Sequence, residues 1–344
     1  MNSRINIWRN EELCLALPKV LINQTLYMNT KLKSLLQNSL LKNMWRIILL
    51  IVILTSYNSV ANAQNDWYEK YLSCVNDSDV HAWKAMIEQW EQAEPESPDV
   101  YAAWYNYYIK LAMTDVVALT TTAPENNQEA LQLMDSTGVV AGYMYGIESY
   151  NDSILQIGYQ KLDTAIGLFP DRLDLPFGKV AMLFRQQLYS EFMQELRLVL
   201  DRSEKNGNRW LWTLNQPLDD GEYVLKDSMQ DYFAQLFDAG QSDYALQLVE
   251  WMLRLYPTDI IFRSDKASLL AIAKRYSEAL PIYLSIYEDN PDDIIVASNI
   301  AHIYYTLGDK EATLKYYSKL VQCGDSEIEA IAKQRIKEIK QKTD

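Results

Sequence analysis

Small, apolar and proline positions recur along the second half of the chain with a period of 34 residues. Ala245 and Ala279 are one period apart, and so are Pro257 and Pro291. Each Ala is followed at the fourth and seventh positions by a large residue and at the twelfth by the Pro. Apolar residues at this spacing share one face of a helix, and a Pro ends a helix. The pattern therefore predicts stacked pairs of antiparallel helices.

Three such units follow one another. They are residues 226–259, 260–293 and 294–325. Asp259 and Asp293 each come two residues after a closing Pro, where a carboxylate can accept hydrogen bonds from the first turn of the next helix. In the third unit Thr313 stands where the small Ala is expected, and no Pro closes the unit. The third unit therefore has the least regular end.

A last amphipathic helix is predicted for residues 326–344. Ser326 and Glu329 have the spacing of a capping box, in which each side chain bonds the other's backbone N–H. Isoleucines then lie along one face and Lys and Arg along the rest. A repeat array needs such a terminal element, apolar inside and polar outside, to cover its last unit.

These units resemble the tetratricopeptide repeat (TPR) family, in which a small residue early in helix B faces helix A of the same unit. The resemblance implies an all-α fold, a right-handed α–α superhelix called a TPR solenoid. Residues 64–225 carry the helix B pattern twice more, ending at Pro98 and Pro170, but at irregular spacing. We expect divergent TPR-like helical hairpins there, with residues 217–221 as the seam to the regular repeats.

A second signal lies near the amino terminus. Residues 44–63 have a basic start, eight aliphatic residues at 47–54 and a small-x-small end at Ala61 and Ala63, which is typical of a cleaved secretory signal peptide. We therefore expect Met44 to be the true start and residues 1–43 to be a non-native upstream extension. The alternatives are an uncleaved membrane anchor and a buried helix. Lipidation at Cys74 is disfavoured because the apolar run ends twenty residues earlier.

Charge restricts the partners. Removing residues 1–63 takes away seven basic and two acidic residues and leaves 25 basic and 44 acidic. Such a surface repels phosphate backbones and anionic lipid. We expect no nucleic-acid partner and no stable membrane insertion after signal cleavage, in a periplasmic or secreted protein. Cys74 and Cys323 remain near opposite ends and are expected as free thiols.

Nothing in the sequence points to catalysis. His81 and His302 are more than 200 residues apart, and no Cys or His pair has metal-ligand spacing. Gly-rich phosphate loops and nucleophile motifs are also missing from the sequence. We expect a protein that is not an enzyme and that uses no cofactor and no metal.

The TPR resemblance implies a partner site on the concave face formed by the A helices. The positions that match the family's binding positions give Asp227, Gln230, Asp231, Phe237, Asp265, Asn299, His302 and Tyr305. Acidic residues stand where chaperone-binding TPR domains use basic and neutral ones to hold a carboxylate. The site is therefore expected to favour a basic or neutral protein or peptide segment.

Three functions stay open. The first is a non-enzymatic adaptor for protein partners in the bacterial cell envelope. The second is an exported carbohydrate-binding protein, for which clustered exposed Trp in the irregular half would be evidence, although the chain has little room for the large insertion that usually carries the sugar site. The third is an enzyme with its site in residues 66–225, which would need two close carboxylates in a deep pocket.

Overall fold

A computed structural model describes residues 64–77, 79–124 and 129–341. These fall into two compact units, residues 64–223 and residues 224–341, called here the N-terminal and the C-terminal unit. The proposed extension and signal peptide, residues 1–63, lie outside the described residues. Thirteen helices make up most of the described part, so the all-α class is confirmed.

The helices are numbered along the chain. Those of the N-terminal unit are α1 (Gln64–Asp77), α2 (Val80–Ala93), α3 (Pro98–Ala112), α4 (Asp152–Leu168), α5 (Asp174–Arg185) and α6 (Tyr189–Asn206). Helix α7 (Gly221–Asp238) begins in that unit and continues into the C-terminal one. The latter contains α8 (Ser242–Leu255), α9 (Ile260–Ile272), α10 (Tyr276–Asp289), α11 (Ile294–Leu307), α12 (Lys310–Leu320) and α13 (Ser326–Gln341).

The 34-residue period is visible in the backbone of the C-terminal unit. Helices α8, α10 and α12 begin 34 residues apart, and each turn before them contains one residue with a left-handed backbone. These residues are Gly240, Lys274 and Gly308, with φ of 71°, 60° and 78°. Gly adopts this conformation without a steric penalty, whereas Lys does not.

The predicted caps and small residues have their expected roles. Asp259 accepts hydrogen bonds from the N–H groups of Ile261 and Phe262 at 3.0 and 3.3 Å, and Asp293 caps α11 in the same way. The residues early in helix B, Ala245, Ala279 and Thr313, are fully buried. Thr313 fits because its hydroxyl donates to the backbone oxygen of Asp309.

The cap of α13 differs from the prediction. Asp325, one residue before Ser326, accepts from the N–H groups of Glu327 and Ile328, both at 3.0 Å. Glu329 reaches back to the N–H of Gly324 at 3.1 Å. Asp325 therefore takes the cap position in place of Ser326, because a carboxylate directly precedes the Ser.

The N-terminal unit contains the predicted helices. Helices α2, α3 and α4 cover the segments that carry the TPR-like patterns, and Trp90 and Trp104 lie in its aromatic core. Gly158 allows α3 and α4 to approach closely, since a Cβ at this position would lie 3.1 Å from Cβ of Tyr108.

Residues 64–225 contain β-strands in addition to the expected helices. An antiparallel three-stranded sheet is inserted between α3 and α4, formed by β1 (Met113–Thr120), β2 (Leu131–Met134) and β3 (Val140–Tyr150) in the order β1-β3-β2. The N–H of Asn151 bonds the oxygen of Ala112 at 2.9 Å, which brings the two ends of the insertion together. A shorter hairpin, β4 (Leu211–Trp212) and β5 (Gln216–Pro217), follows α6.

Local signals for the sheet are present in the sequence. The segment 135–138 forms its tightest turn, where Asp135 accepts from the N–H groups of Thr137 and Val139 and Gly138 has a φ of 81°. An Asp followed three residues later by Gly, between runs rich in Val, Leu and Tyr, is a hairpin signal. None of the helices in the described part of the chain is long and apolar enough to cross a bilayer.

Candidate functional site

The eight side chains predicted to bind a partner lie on the A helices of the C-terminal unit and on their ends, but they differ in accessibility. Two are exposed, three are partly buried and three are buried. The exposed residues are Asp227 and Asp231. The partly buried ones are Gln230, Phe237 and Tyr305, and the buried ones are Asp265, Asn299 and His302.

The buried three are not available as surface contacts in this structure. Asn299 donates from its amide to the hydroxyl of Tyr283 at 3.0 Å, and Ser268 shares a 2.7 Å hydrogen bond with the same hydroxyl. Tyr283 belongs to α10, helix B of the preceding pair. Asn299 therefore packs against the neighbouring repeat, which the helix A position alone did not reveal. Asp265 and His302 are buried to the same degree.

Tyr305 is engaged by the last helix. Its hydroxyl donates to Glu338 at 2.8 Å and accepts from Arg335 at 3.2 Å, and the guanidinium lies 4.5 Å from the ring centre. Hydrogen bonds from Gln334 and Tyr305 lower the pKa of Glu338 to about 2. Tyr305 therefore contributes to docking α13 onto the last repeat.

The remaining predicted residues form a polar patch on α7, here called the α7 patch: Asp227, Gln230 and Asp231. The two carboxylates are four residues apart, so they lie on one face of the helix. Loss of solvent and the nearby Asp227 raise the pKa of Asp231. Two like charges next to each other favour a cation, which would lower their repulsion.

The amide of Gln230 stands out within the α7 patch. Its nitrogen and its oxygen are both buried, and neither makes a hydrogen bond within the described structure. Ser264 occupies the equivalent position one period later, and its buried hydroxyl is also without a partner among the described residues. Unsatisfied buried polar atoms cost free energy, typically about 1–3 kcal/mol each. Of these two residues only Gln230 is partly exposed, because Ser264 is fully buried.

A different polar cluster, centred on Arg172, was not predicted from sequence. The buried guanidinium donates to Asp99 at 2.7 Å, to Asp174 at 2.8 Å and to Asn215 at 3.2 Å. Asp99 also accepts from the N–H of Leu214 at 3.1 Å. Burial raises the pKa of Asp174 against the opposing effect of Arg172. The cluster joins the first turns of α3 and α5 to the turn between β4 and β5.

Next to this cluster is an open depression of about 390 Å³ with Glu94, Glu96, Phe169 and Asn215 in its lining. Glu94 accepts from the indole of Trp90 at 2.9 Å. Asp99 also lines the depression, where its carboxylate is held by Arg172. Among the described residues no group of three or more His, Cys, Asp and Glu side chains could hold a metal ion.

The tryptophans give no support to a sugar-binding surface. Trp83, Trp90, Trp104 and Trp210 are all buried in the N-terminal unit. In the C-terminal unit Tyr283 and Tyr317 are fully buried, and Tyr304 is partly buried. These aromatic side chains serve packing, as large amphipathic rings generally do inside helical repeats.

Paired helices, a 34-residue step, left-handed turns and buried small residues define the C-terminal unit as a helical-repeat structure of the TPR type. No protein-family model matches the sequence, and no curated protein matches it significantly. The class therefore rests on the repeats of this chain.

Several solved structures with related repeats are similar to it. YrrB, described as a TPR protein with an unusual peptide-binding site, is 18% identical over 53% of this chain and 85% of that chain, with a TM-score of 0.34. A tetratricopeptide repeat protein from Parabacteroides merdae is 12% identical over 82% and 92%, with a TM-score of 0.34. PilF of Pseudomonas aeruginosa is 12% identical over 81% and 97%, with a TM-score of 0.33.

Proposed function

We propose that this protein is a non-enzymatic binding scaffold whose C-terminal unit holds an extended segment of a protein partner against the A helix α7. The observation that carries the proposal is the buried, unpartnered amide of Gln230. A carboxamide has a donor and an acceptor side by side, which matches the N–H and C=O of a peptide backbone.

The charge of the α7 patch supports a basic or neutral partner. Asp227 and Asp231 repel each other, and the raised pKa of Asp231 reflects this repulsion and its partial loss of solvent. A Lys or Arg placed between them gains two attractive interactions at once. An acidic segment would add a third negative charge at the same place. Asp265, Asn299 and His302 are not included in this site because they are buried.

Binding to immobilised peptides tests this proposal. Three sets of extended peptides of equal length would be compared, identical except for Lys, Gln or Glu at the charged positions. We expect the Lys and Gln sets to bind. Gln230→Leu should weaken both by about tenfold, the effect of one or two lost hydrogen bonds. Asp231→Asn should weaken only the Lys set.

A matched control is Asp243→Asn, which removes an exposed carboxylate from α8, a B helix. It should leave all three peptide sets unchanged. Equal binding of the Glu set, or equal loss in the α8 variant, would contradict a site at the α7 patch.

We further propose that the protein is exported to the cell envelope, with residues 44–63 as a cleaved signal peptide. Its basic, apolar and small-residue regions have the order that signal peptidase substrates require. Cell fractionation followed by mass spectrometry of the mature amino terminus tests this. The expected product begins at Gln64. A cytoplasmic product that retains residues upstream of Gln64 would refute it.

A further inference from the structure

The three-stranded sheet of the N-terminal unit exposes a row of large apolar side chains. Leu119 of β1, Met144 of β3 and Leu131 of β2 are directly opposite one another across the sheet. Val117 and Leu133 lie on the same face, next to the two ends of the row, because alternate residues of a strand share a face. Val117, Leu119 and Leu131 are 67%, 69% and 64% exposed, whereas Met144 between Leu119 and Leu131 is half-buried. Contiguous exposed apolar surface of this kind marks interaction sites.

An open edge borders this apolar row. β3 is the central strand, so β1 and β2 are the edges, and no described strand pairs with the outer side of β1. β1 is eight residues long, whereas β2 has four. An edge strand with free backbone N–H and C=O groups is a template for one more strand. β1 is the longer of the two edge strands, and it contains Leu119, the outermost residue of the apolar row on that side.

Charge identifies the kind of strand that fits. Residues 113–150 include five acidic residues, Asp115, Glu125, Glu129, Asp135 and Glu148, and no Lys or Arg. Asp115 of β1 is directly opposite Glu148 of β3, on the same face as the apolar row. Arg185 forms an ion pair with Glu148 at 3.4 Å. Glu148 is thus compensated, whereas Asp115 has no ion pair within the described structure, and a basic side chain on its outer side would supply one.

We propose that β1 accepts an added β-strand from a partner protein, with a Lys or Arg beside Asp115 and apolar residues beside Val117 and Leu119. The partner segment is therefore extended, apolar at every second position and basic at one end. The added strand continues the apolar row from three strands to four and covers Leu119. A second copy of this chain does not fit as the occupant, because residues 113–150 contain no basic side chain to place beside Asp115. Anionic lipid is disfavoured for the same reason.

A designed peptide tests this docking surface on the full chain. The fluorescein-labelled sequence KTVTVTK has valines at alternate positions and a Lys at each end, so it fits β1 in either direction. Its matched counterparts are ETVTVTE and a KTVTVTK peptide with every backbone nitrogen methylated, which has no backbone N–H to donate to an edge strand. Fluorescence anisotropy measures affinity, and hydrogen exchange measures protection of the amides of residues 113–120.

We expect KTVTVTK to bind and to slow exchange in β1, with ETVTVTE at least tenfold weaker and the methylated peptide without effect. Leu119→Ser should weaken KTVTVTK by about tenfold, since it removes one buried apolar side chain. Asp115→Asn should reduce the preference for Lys over Glu. Leu198→Ser is the matched control, because Leu198 is 60% exposed on α6, away from the sheet.

Two results would overturn the proposal. The first is absence of KTVTVTK binding and of protection in β1 while circular dichroism shows a folded protein. The second is a dimer, seen by sedimentation, that Leu119→Ser dissociates, because a second copy would then be the occupant. Neither result bears on the α7 patch, which lies in the other unit and is tested with different variants.

Discussion

Single residues set the turn geometry of the repeats. The three turns before α8, α10 and α12 share one left-handed position, filled by Gly, Lys and Gly. The 34-residue period extends to these turns, although the Lys gives no local hint of a positive φ. The backbone is forced there because Lys274 sits between two helices whose packing is fixed by their buried faces.

Lys274→Gly should stabilise the protein. A side chain at positive φ destabilises the folded state by about 1–2 kcal/mol. The Gly variant removes this strain, but its unfolded chain is more flexible, which offsets part of the gain. The net gain expected in the free energy of unfolding is about 0.5–1 kcal/mol, measured by urea denaturation. Gly308→Lys is the matched reverse change. It should lower the free energy of unfolding by a similar amount. The loss would come from backbone strain and not from a clash, since an added Cβ there would meet no atom within 4 Å.

Tyr305→Phe should lower stability in a pH-dependent way. The hydroxyl contributes to holding the pKa of Glu338 at about 2, below its usual 4.5. A depressed carboxyl pKa stabilises the folded state above the unfolded value and loses that contribution as pH falls through the folded value. We expect a deficit of about 1 kcal/mol at pH 7 that shrinks toward pH 2. Urea denaturation at several pH values measures it, and a pH-independent deficit would contradict this role.

At the scale of elements, the positions of the helices could be predicted from local sequence patterns. The side-chain contacts that join one element to another could not. Caps at Asp259 and Asp293 depend on residues two or three positions away, so they could be predicted. The contacts between α3, α5 and the β4–β5 turn are hydrogen bonds from the guanidinium of Arg172 to Asp99 and Asn215. All three residues are far apart in sequence. No periodic pattern marks an ion cluster whose members belong to different elements.

Arg172→Met should destabilise the protein strongly. It would leave Asp99 and Asp174 buried without their cation, and removal of one partner from a buried ion pair costs about 3–5 kcal/mol. Thermal unfolding followed by circular dichroism checks this. Arg197→Met is the matched control on α6, where a half-exposed pair with Asp201 at 2.9 Å should contribute only about 0.5 kcal/mol. Similar losses in the two variants would contradict a structural role for the cluster.

At the scale of the whole molecule, excess negative charge opposes folding. Residues 64–344 carry 44 acidic and 25 basic residues, and self-repulsion within such a chain is reduced by salt. We expect the Tm to rise when NaCl is increased from low to physiological concentration, as measured by calorimetry. A Tm that falls would indicate that the local ion pairs outweigh the net repulsion.

The sequence by itself determined the repeat period, the helix pairs, their turns and most of their caps, because these features depend on residues within one or two helical turns. Tertiary structure alone decided which helix A side chains remain accessible. Asn299 and Gln230 are both polar residues at predicted binding positions. The amide of Asn299 donates a hydrogen bond to Tyr283, whereas the amide of Gln230 has no hydrogen-bond partner among the described residues. Tertiary packing also exposed the apolar row of the β-sheet and assembled the Arg172 cluster. Burial and exposure are properties of the packed chain, because they depend on neighbours that are close in space and far apart in sequence.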